Sequence, residues 1–475
     1  FIYQQPDTGK KYKNIKRQPL GAEREEKMNQ SIGQKFNVIS LLRFAAPSII
    51  MMVFMSLYTI IDGFFIARYA GSAALSAANI VYPVVNVLYA CGIMFATGGN
   101  AIVAKKLGQQ KEKEARNDFT SIVVVGLLIS ILFLVFGTIF TEPLSKALGS
   151  NAMLLPDCKR YLRTLLLFAP ASMLQMLFQM FFVTAGKPGL GLGVTIAGGV
   201  ANAIFDYVFM AVCHMDITGA AIATGIGQLI PAVIGLIFFI QKKKSLYFSK
   251  FKIHWGLIGS AAFNGVSEMI SNVSEAVVTF LYNIILMKMV GQEGVAAITI
   301  VLYAQFLFNA MFLGFSMGVA PVISYQYGAQ KEKEVEKVTK ISKIFLISIS
   351  ILIAIASFFL RDMVAGLFVD AATQTYLYAK EAMGFFAISF LFSGYNIFSS
   401  SYYTALSDGK TSGIISFTRT FICIVVSLLI LPQIFGTTGV WLAVPLAEVI
   451  SFVLCLYIHR RKRVEKLEIS QRMLS

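Results

Sequence analysis

The chain has 475 residues, is 56% hydrophobic and 14% charged, and has a mean hydropathy of +0.70. A soluble domain carries roughly 25% charged residues, so water cannot solvate this much apolar surface and the bilayer is the natural solvent. The net charge is +16, but the basic residues sit in short links between apolar runs, which argues against a nucleic-acid-binding face.

Residues 1–43 are polar and lack the apolar core of a signal peptide. Met28 stands before "NQSIGQKF" and the first apolar run, and is the expected initiator. Residues 1–27 are then expected to be translated upstream sequence. Twelve spans come next, near 44–66, 73–104, 118–140, 161–185, 190–213, 217–240, 257–287, 295–327, 341–360, 376–406, 412–431 and 438–458. Their continuous apolar runs lack the alternation of a membrane barrel strand, so each is read as a helix. The expected units are an N-lobe at 44–240, a cytoplasmic linker at 241–256, a C-lobe at 257–458 and a basic tail at 459–475. Of the 41 Lys and Arg, 32 lie in the N-terminal segment, alternate links and the tail. That bias is the positive-inside signal and predicts both termini in the cytoplasm. The five cysteines are scattered without a C-x-x-C, and the three histidines form no cluster, so no metal framework is implied.

The pentapeptide QKEKE occurs twice, in "GQQKEKEARN" at 108–117 and "GAQKEKEVEK" at 328–337. An offset of 220 also superposes Gly71 on Gly291, Ala77 on Ala297, Thr184–Ala185 on Thr404–Ala405 and Thr218–Gly219 on Thr438–Gly439. The whole half therefore repeats. "TALSDGK" at 404–410 marks a short local insertion. Six spans return the chain to the same side, so the halves are parallel. The expected fold is an all-α membrane protein of twelve transmembrane helices in two parallel six-helix repeats. Transporters built this way run their substrate path between the repeats. QKEKE itself reads as a solvated link at corresponding places in each half.

Ionisable residues inside spans are costly and mark candidate function. They are Asp62, Asp206, Glu268, Glu275, Arg419 and Glu448. At the repeat offset Asp62 falls on Tyr282, and Thr224 on Val444. Asp206 falls on Val426 or Leu429, and Asn202 on Ile422 or Val425, depending on the insertion. Packing in the second half does without a charge at all four places. Asn202 and Asp206 are spaced i, i+4 on one helix face. Two carboxylates, an amide and a hydroxyl offer hard oxygens to Na⁺, and a carboxylate here can equally carry H⁺. Pro47, Pro83, Pro170, Pro231, Pro321 and Pro445 interrupt spans and permit bends. "GKPGLGLG" at 186–193 lacks a βαβ context, so its glycines are read as helix-packing positions.

"IIDGFFIARYAG" at 60–71, "NAIFDYVF" at 202–209 and "GAAIAT" at 219–224, within two six-span halves, resemble the multidrug and toxic compound extrusion (MATE) transporters, nearest the bacterial MepA type. The resemblance covers about residues 36–460. It implies two lobes around a central cavity and export of amphipathic, often cationic compounds by antiport with H⁺ or Na⁺. By position it implies an N-lobe cation site at Asp62, Asn202, Asp206 and Thr224, with Na⁺ as one candidate occupant. Pro47, in the first span, is the proline expected to bend its helix. Some members use an acidic pair on helices 7 and 10. Here helix 7 offers Glu275, but helix 10 has Tyr395 and Asn396 with no Asp, so these three are expected to line the substrate cavity instead. The expected protein is a monomer in the bacterial inner membrane, with no cofactor and no enzymatic activity. A lipid-linked precursor flippase of related fold is the alternative. It would need a basic cluster for phosphate, and only Arg419 lies deep within a span. An intramembrane enzyme would need aligned His, Asp or Ser groups, which the pattern does not supply.

Overall fold

The computed structural model describes residues 32–242, 245–250 and 254–474. The expectations about residues 1–27 and Met28 lie outside the described residues. Lipid offers a peptide group no partner, so each segment must satisfy its own backbone. Every regular element among the described residues is accordingly helical. In the first half these are α1 (Val38–Phe65), α2 (Gly71–Gly108), α3 (Glu112–Ile139), α4 (Thr141–Ala147), α5 (Leu155–Leu167), α6 (Ala169–Thr184), α7 (Pro188–Asp206) and α8 (Asp216–Ile240). In the second half they are α9 (Trp255–Met289), α10 (Gln292–Gly328), α11 (Glu332–Phe368), α12 (Gln374–Ala405), α13 (Gly409–Phe417), α14 (Cys423–Phe435) and α15 (Thr437–Leu474). Among the described residues, eleven single helical spans are long and apolar enough to cross a membrane, and the bent pair α5–α6 makes a twelfth. The chain is a multi-pass membrane protein. Side chains such as Phe359 and Leu367 stand 75% and 70% exposed, which suits lipid and not water.

Pro170 sits in the first turn of α6, where the fourth span bends by 51°. A proline lacks the N–H and blocks the preceding turn, so it starts a new helix there. The other prolines behave differently. Pro47, Pro83, Pro231, Pro321 and Pro445 all stay inside continuous helices. Three π-turns among the described residues were not foreseen, at Ile66–Ala70, Tyr207–Val212 and Thr418–Ile422. None recurs at the repeat offset. A π-turn takes one extra residue into a helix and re-aims the side chains after it, and it frequently marks a functional site.

The repeated pentapeptide has a local explanation. Gln110 and Gln330 adopt φ of 60° and 56°. Lys111 N–H then donates back to the Lys106 carbonyl and Lys331 N–H to Gln326, both at 3.0 Å. Glu112 and Glu114, like Glu332 and Glu334, fall in the next helix's first turn, where its dipole favours acids. QKEKE is a helix stop joined to a helix start.

The halves meet through equivalent pairs, α1 on α10 and α9 on α2. Gly98 packs on Gly265, and at the offset positions Gly318 packs on Ala45. Where α2 and α10 cross, Gly108 abuts the Tyr325 carbonyl and Gly328 abuts the Lys105 carbonyl. Lys105 and Tyr325 are themselves repeat partners, so this crossing lies on the pseudo-twofold axis. Asn86 Nδ2 donates to the Asn272 carbonyl at 3.3 Å, further from that end. Beyond it the halves part. Tyr82 of α2 is 53% exposed and faces Glu275 and Tyr303 of the second half across the gap. The cleft is thus shut at the QKEKE end and open at the other.

A Cβ at Gly108 would strike backbone, which cannot yield as a side-chain tip does. Overpacking of this kind costs about 1–3 kcal/mol, enough to shift a two-state equilibrium roughly 5- to 150-fold. Gly108→Val should therefore leave each half folded but separate spin labels at Lys111 and Lys331. An unchanged label distance would show that the crossing is not a tight seal.

Candidate functional site

Asp62 lies on α1 one turn before the first π-turn, and Asp206 ends α7 just before the second. Both are set where helix geometry changes. Asp206 is fully buried and Asn202 is 4% exposed, while Asp62 and Thr224 are half-buried. The Asp62 carboxyl reaches Asp206 and Asn202. Glycines make this approach possible. Gly198 of α7 packs on the Gly227 carbonyl of α8, and Gly227 packs on Asn202 Cβ. Any side chain at Gly227 would push Asn202 away from α8.

The cluster is polar but unsatisfied. Asp62 Oδ1, both Asp206 carboxylate oxygens, Asn202 Nδ2 and Thr224 Oγ1 are buried with no well-formed hydrogen bond. Native proteins rarely leave so many buried polar atoms unpaired, so each asks for an explanation. A cavity of about 10 Å³ adjoins it, lined by Tyr58, Gln175, Thr195, Asn202, Thr224 and Gln228. That is roughly the room one water needs. Oxygens from Asp62, Asp206, Asn202 and Thr224 supply the hard donor chemistry that suits Na⁺, and the carboxylates suit a proton equally. Among the described residues no group of three His, Cys, Asp or Glu side chains is placed to hold a metal.

The surrounding polar groups were missed at the level of sequence. Gln228 Nε2 donates to Tyr89 Oη at 2.7 Å, and its Oε1 accepts from Ser172. Gln179 Nε2 donates to Thr195 Oγ1 at 3.0 Å. A search for ionisable residues passes over glutamines, although an amide in an apolar span is a comparable signal.

In the second half, Tyr282 stands where Asp62 has its repeat partner, fully buried in an apolar cluster. Glu275 is exposed toward the gap, near Tyr82. Tyr395 and Asn396, expected to line the cavity, are 6% and 0% exposed. Tyr395 packs on Phe452 and His459, with the Lys343 ammonium 5.2 Å from its ring centroid. Asn396 is bound to Glu448. Both point into the second half's own interior, because α12 is buried along most of its length. Pro47 lies within α1, next to Ser48, which packs on Gly318 and Gly314 of α10.

A family model described as MatE matches residues 47–208 and again 269–429. The chain belongs to the MatE family. The two matched stretches are the two halves of the repeat. The chain is 24% identical over 430 residues to a multidrug export protein MepA of Staphylococcus haemolyticus, covering 88% of this chain and 92% of that one. It is 23% identical over 421 residues to the MepA of Staphylococcus aureus strain NCTC 8325, covering 86% and 90%. Among solved structures, a MATE protein in complex with MaL6 superposes with TM-score 0.87 at 18% identity, covering 93% of this chain and 99% of that one. An outward-facing MATE-family multidrug resistance transporter of the MOP superfamily superposes with TM-score 0.83 at 19% identity, with the same coverage. These structural likenesses carry the fold. The chain is therefore a membrane transporter of MATE architecture.

Proposed function

We propose that this MatE-family chain exports amphipathic, often cationic small molecules by antiport with H⁺ or Na⁺, through alternating access. One observation carries the reading. A set of polar side chains, Asp62, Asn202, Asp206 and Thr224, is brought together within the first half, and Asp62 Oδ1, both Asp206 carboxylate oxygens and Thr224 Oγ1 are buried without a well-formed hydrogen bond. An exchangeable cation gives the carboxylate and hydroxyl oxygens the partner they lack. The relatives named as multidrug export proteins support the substrate class. The coupling follows from linkage: drug and cation favour opposite states of the cleft or compete for one state. The reading makes the protein a carrier and not an enzyme. The chain acts as a monomer, since the cleft lies between its own halves. It sits in a bacterial inner membrane with both ends in the cytoplasm, so the shut end of the cleft faces inward. A lipid flippase is disfavoured, because Arg419, the cation deep in a span, is engaged by Glu448.

Glu275 faces the gap and is offered as the substrate-attracting carboxylate. Its solvent exposure limits the attraction for a cation to about 1 kcal/mol at contact, roughly a factor of five in affinity. Tyr395 and Asn396 would then serve the substrate only indirectly, through the packing behind the cavity wall.

Dye export in vesicles with imposed pH or Na⁺ gradients tests the coupling. Asp62→Asn and Asp206→Asn should each reduce gradient-driven export to the level of empty vesicles at normal expression. Near-normal export by both would end the reading. Glu275→Gln should weaken the apparent affinity for a quaternary ammonium dye about fivefold and spare a neutral substrate; equal loss for both would show a merely structural carboxylate. Single cysteines at Lys111 and Lys331 should react with an impermeant reagent from the cytoplasmic side alone. Labelling of the two from opposite faces would refute the orientation.

A further inference from the structure

The second half holds a buried charged cluster that the proposed coupling site does not use. Arg419 lies in the π-turn Thr418–Ile422. Its Nε donates to Glu448 Oε1 at 2.9 Å, and the two side chains are 14% and 5% exposed. Asn396 Nδ2 donates to the other carboxylate oxygen, Oε2, at 2.6 Å, and to the Glu448 backbone carbonyl at 2.9 Å. Both oxygens of Glu448 are therefore engaged. From α9, Glu268 and Glu275 lie within electrostatic range of the same guanidinium. The thiols of Cys423 and Cys455 flank the pair from α14 and α15.

The repeat relates this cluster to the first half. At the offset of 220, Glu448 falls on Gln228, and Asn396 falls on Met176, next to Gln175. Gln175 and Gln228 line the small cavity beside Asn202 and Thr224. Each half thus gathers polar side chains from its fourth, fifth and sixth spans, close to a π-turn. The contents differ. Among the described residues no ion pair holds Asp62 or Asp206, whereas Glu448 is held by Arg419.

We propose that Arg419 is a tethered cation, which fills the second half's counterpart of the polar pocket beside the cation site, so that this half holds no exchangeable cation of its own. The guanidinium is attached to the chain and cannot leave during the cycle, so exchange is confined to the first half. The same charge offsets Glu268 and Glu275 and so sets how strongly the cleft attracts cationic substrates. The inference rests on the proposed antiport only in treating the first-half cluster as the exchanging site.

Removing the side chain beyond Cβ should leave a space shaped for a free guanidinium ion, walled by Glu448 and Asn396. In the purified full-length protein, Arg419→Ala should lower the Tm by several degrees, because Glu448 is then a buried, unpaired carboxylate. Millimolar guanidinium chloride should restore most of that loss, and potassium chloride at equal ionic strength should not. The double variant Arg419→Ala, Glu448→Gln should melt near the wild type and ignore guanidinium. Vesicle export of a cationic dye by Arg419→Ala should rise with added guanidinium. The proposal falls if Arg419→Ala is as stable as the wild type. It also falls if both salts act alike, or if the double variant is as unstable as the single. Should Arg419→Ala fail to accumulate, a double variant that accumulates and exports dye sustains the proposal. Failure of both variants makes the position structural and ends it. Loss of coupling in Asp206→Asn is read independently, so failure of the antiport reading and failure of guanidinium rescue are separate results.

Discussion

Hydrocarbon supplies no hydrogen-bond partner, and the rest of this structure depends on that constraint. Backbone groups are satisfied within helices, and many serines and threonines in the spans donate to the carbonyl four residues back, as Ser56 does to Met52. Larger polar groups need partners on other helices, which Gln228 finds in Tyr89 and Ser172. With the environment so demanding, polar atoms without partners stand out. Among the described residues, five of them come together where Asp62, Asn202, Asp206 and Thr224 meet. The proposed exchange site draws on this property, since groups saturated by the protein would have nothing to offer a cation.

The two halves share one scaffold and differ where the chemistry lies. Their shared features are mechanical. The stop-and-start turn of QKEKE recurs with the same back-bonds. The crossing of Gly108 with Gly328 is symmetric about the axis. A hinge between halves benefits from such symmetry, because equivalent surfaces can slide or part without a mismatch. The differences are chemical. Each π-turn belongs to one half alone, and each stands beside an ionisable residue of a span. An extra residue in a helix turns the subsequent side chains by about a quarter turn, which is how one scaffold can aim different groups at equivalent places.

The sequence made the spans legible because a bilayer demands long apolar runs, and the repeat legible because its charged link is conspicuous among them. The pairing of Asn202 with Asp206 on one face came from helical spacing alone. Other features left no local mark. A π-turn depends on how neighbouring helices pack, so "FIARYAG" reads as ordinary helix. Five interrupting prolines sit in unbroken helices, which membrane spans tolerate in general because surrounding groups can re-satisfy a freed carbonyl. Tyr395 and Asn396 were placed at the cavity because composition along a helix does not say which face looks inward. In α12 nearly every face is covered, so that inference had no signal to work from. Glutamines carry no charge, so a pattern of ionisable residues does not mark Gln175, Gln179 and Gln228 even though an unpaired amide in hydrocarbon is also costly.

Arg419 and Glu448 show why intramembrane charges cannot be read one residue at a time. Separately, each is an expensive group and a candidate site. Together, with Asn396, they form a closed set in which both carboxylate oxygens are occupied. Asp62 and Asp206 are the reverse case. Two like charges brought together raise the cost of burial, and no basic side chain is paired with either among the described residues. What separates a structural charge from a working one here is therefore the balance of its immediate partners. A balanced cluster ties its helices together, while an unbalanced one leaves carboxylate oxygens with no counter-charge from the described residues, which is the feature the proposed antiport rests on.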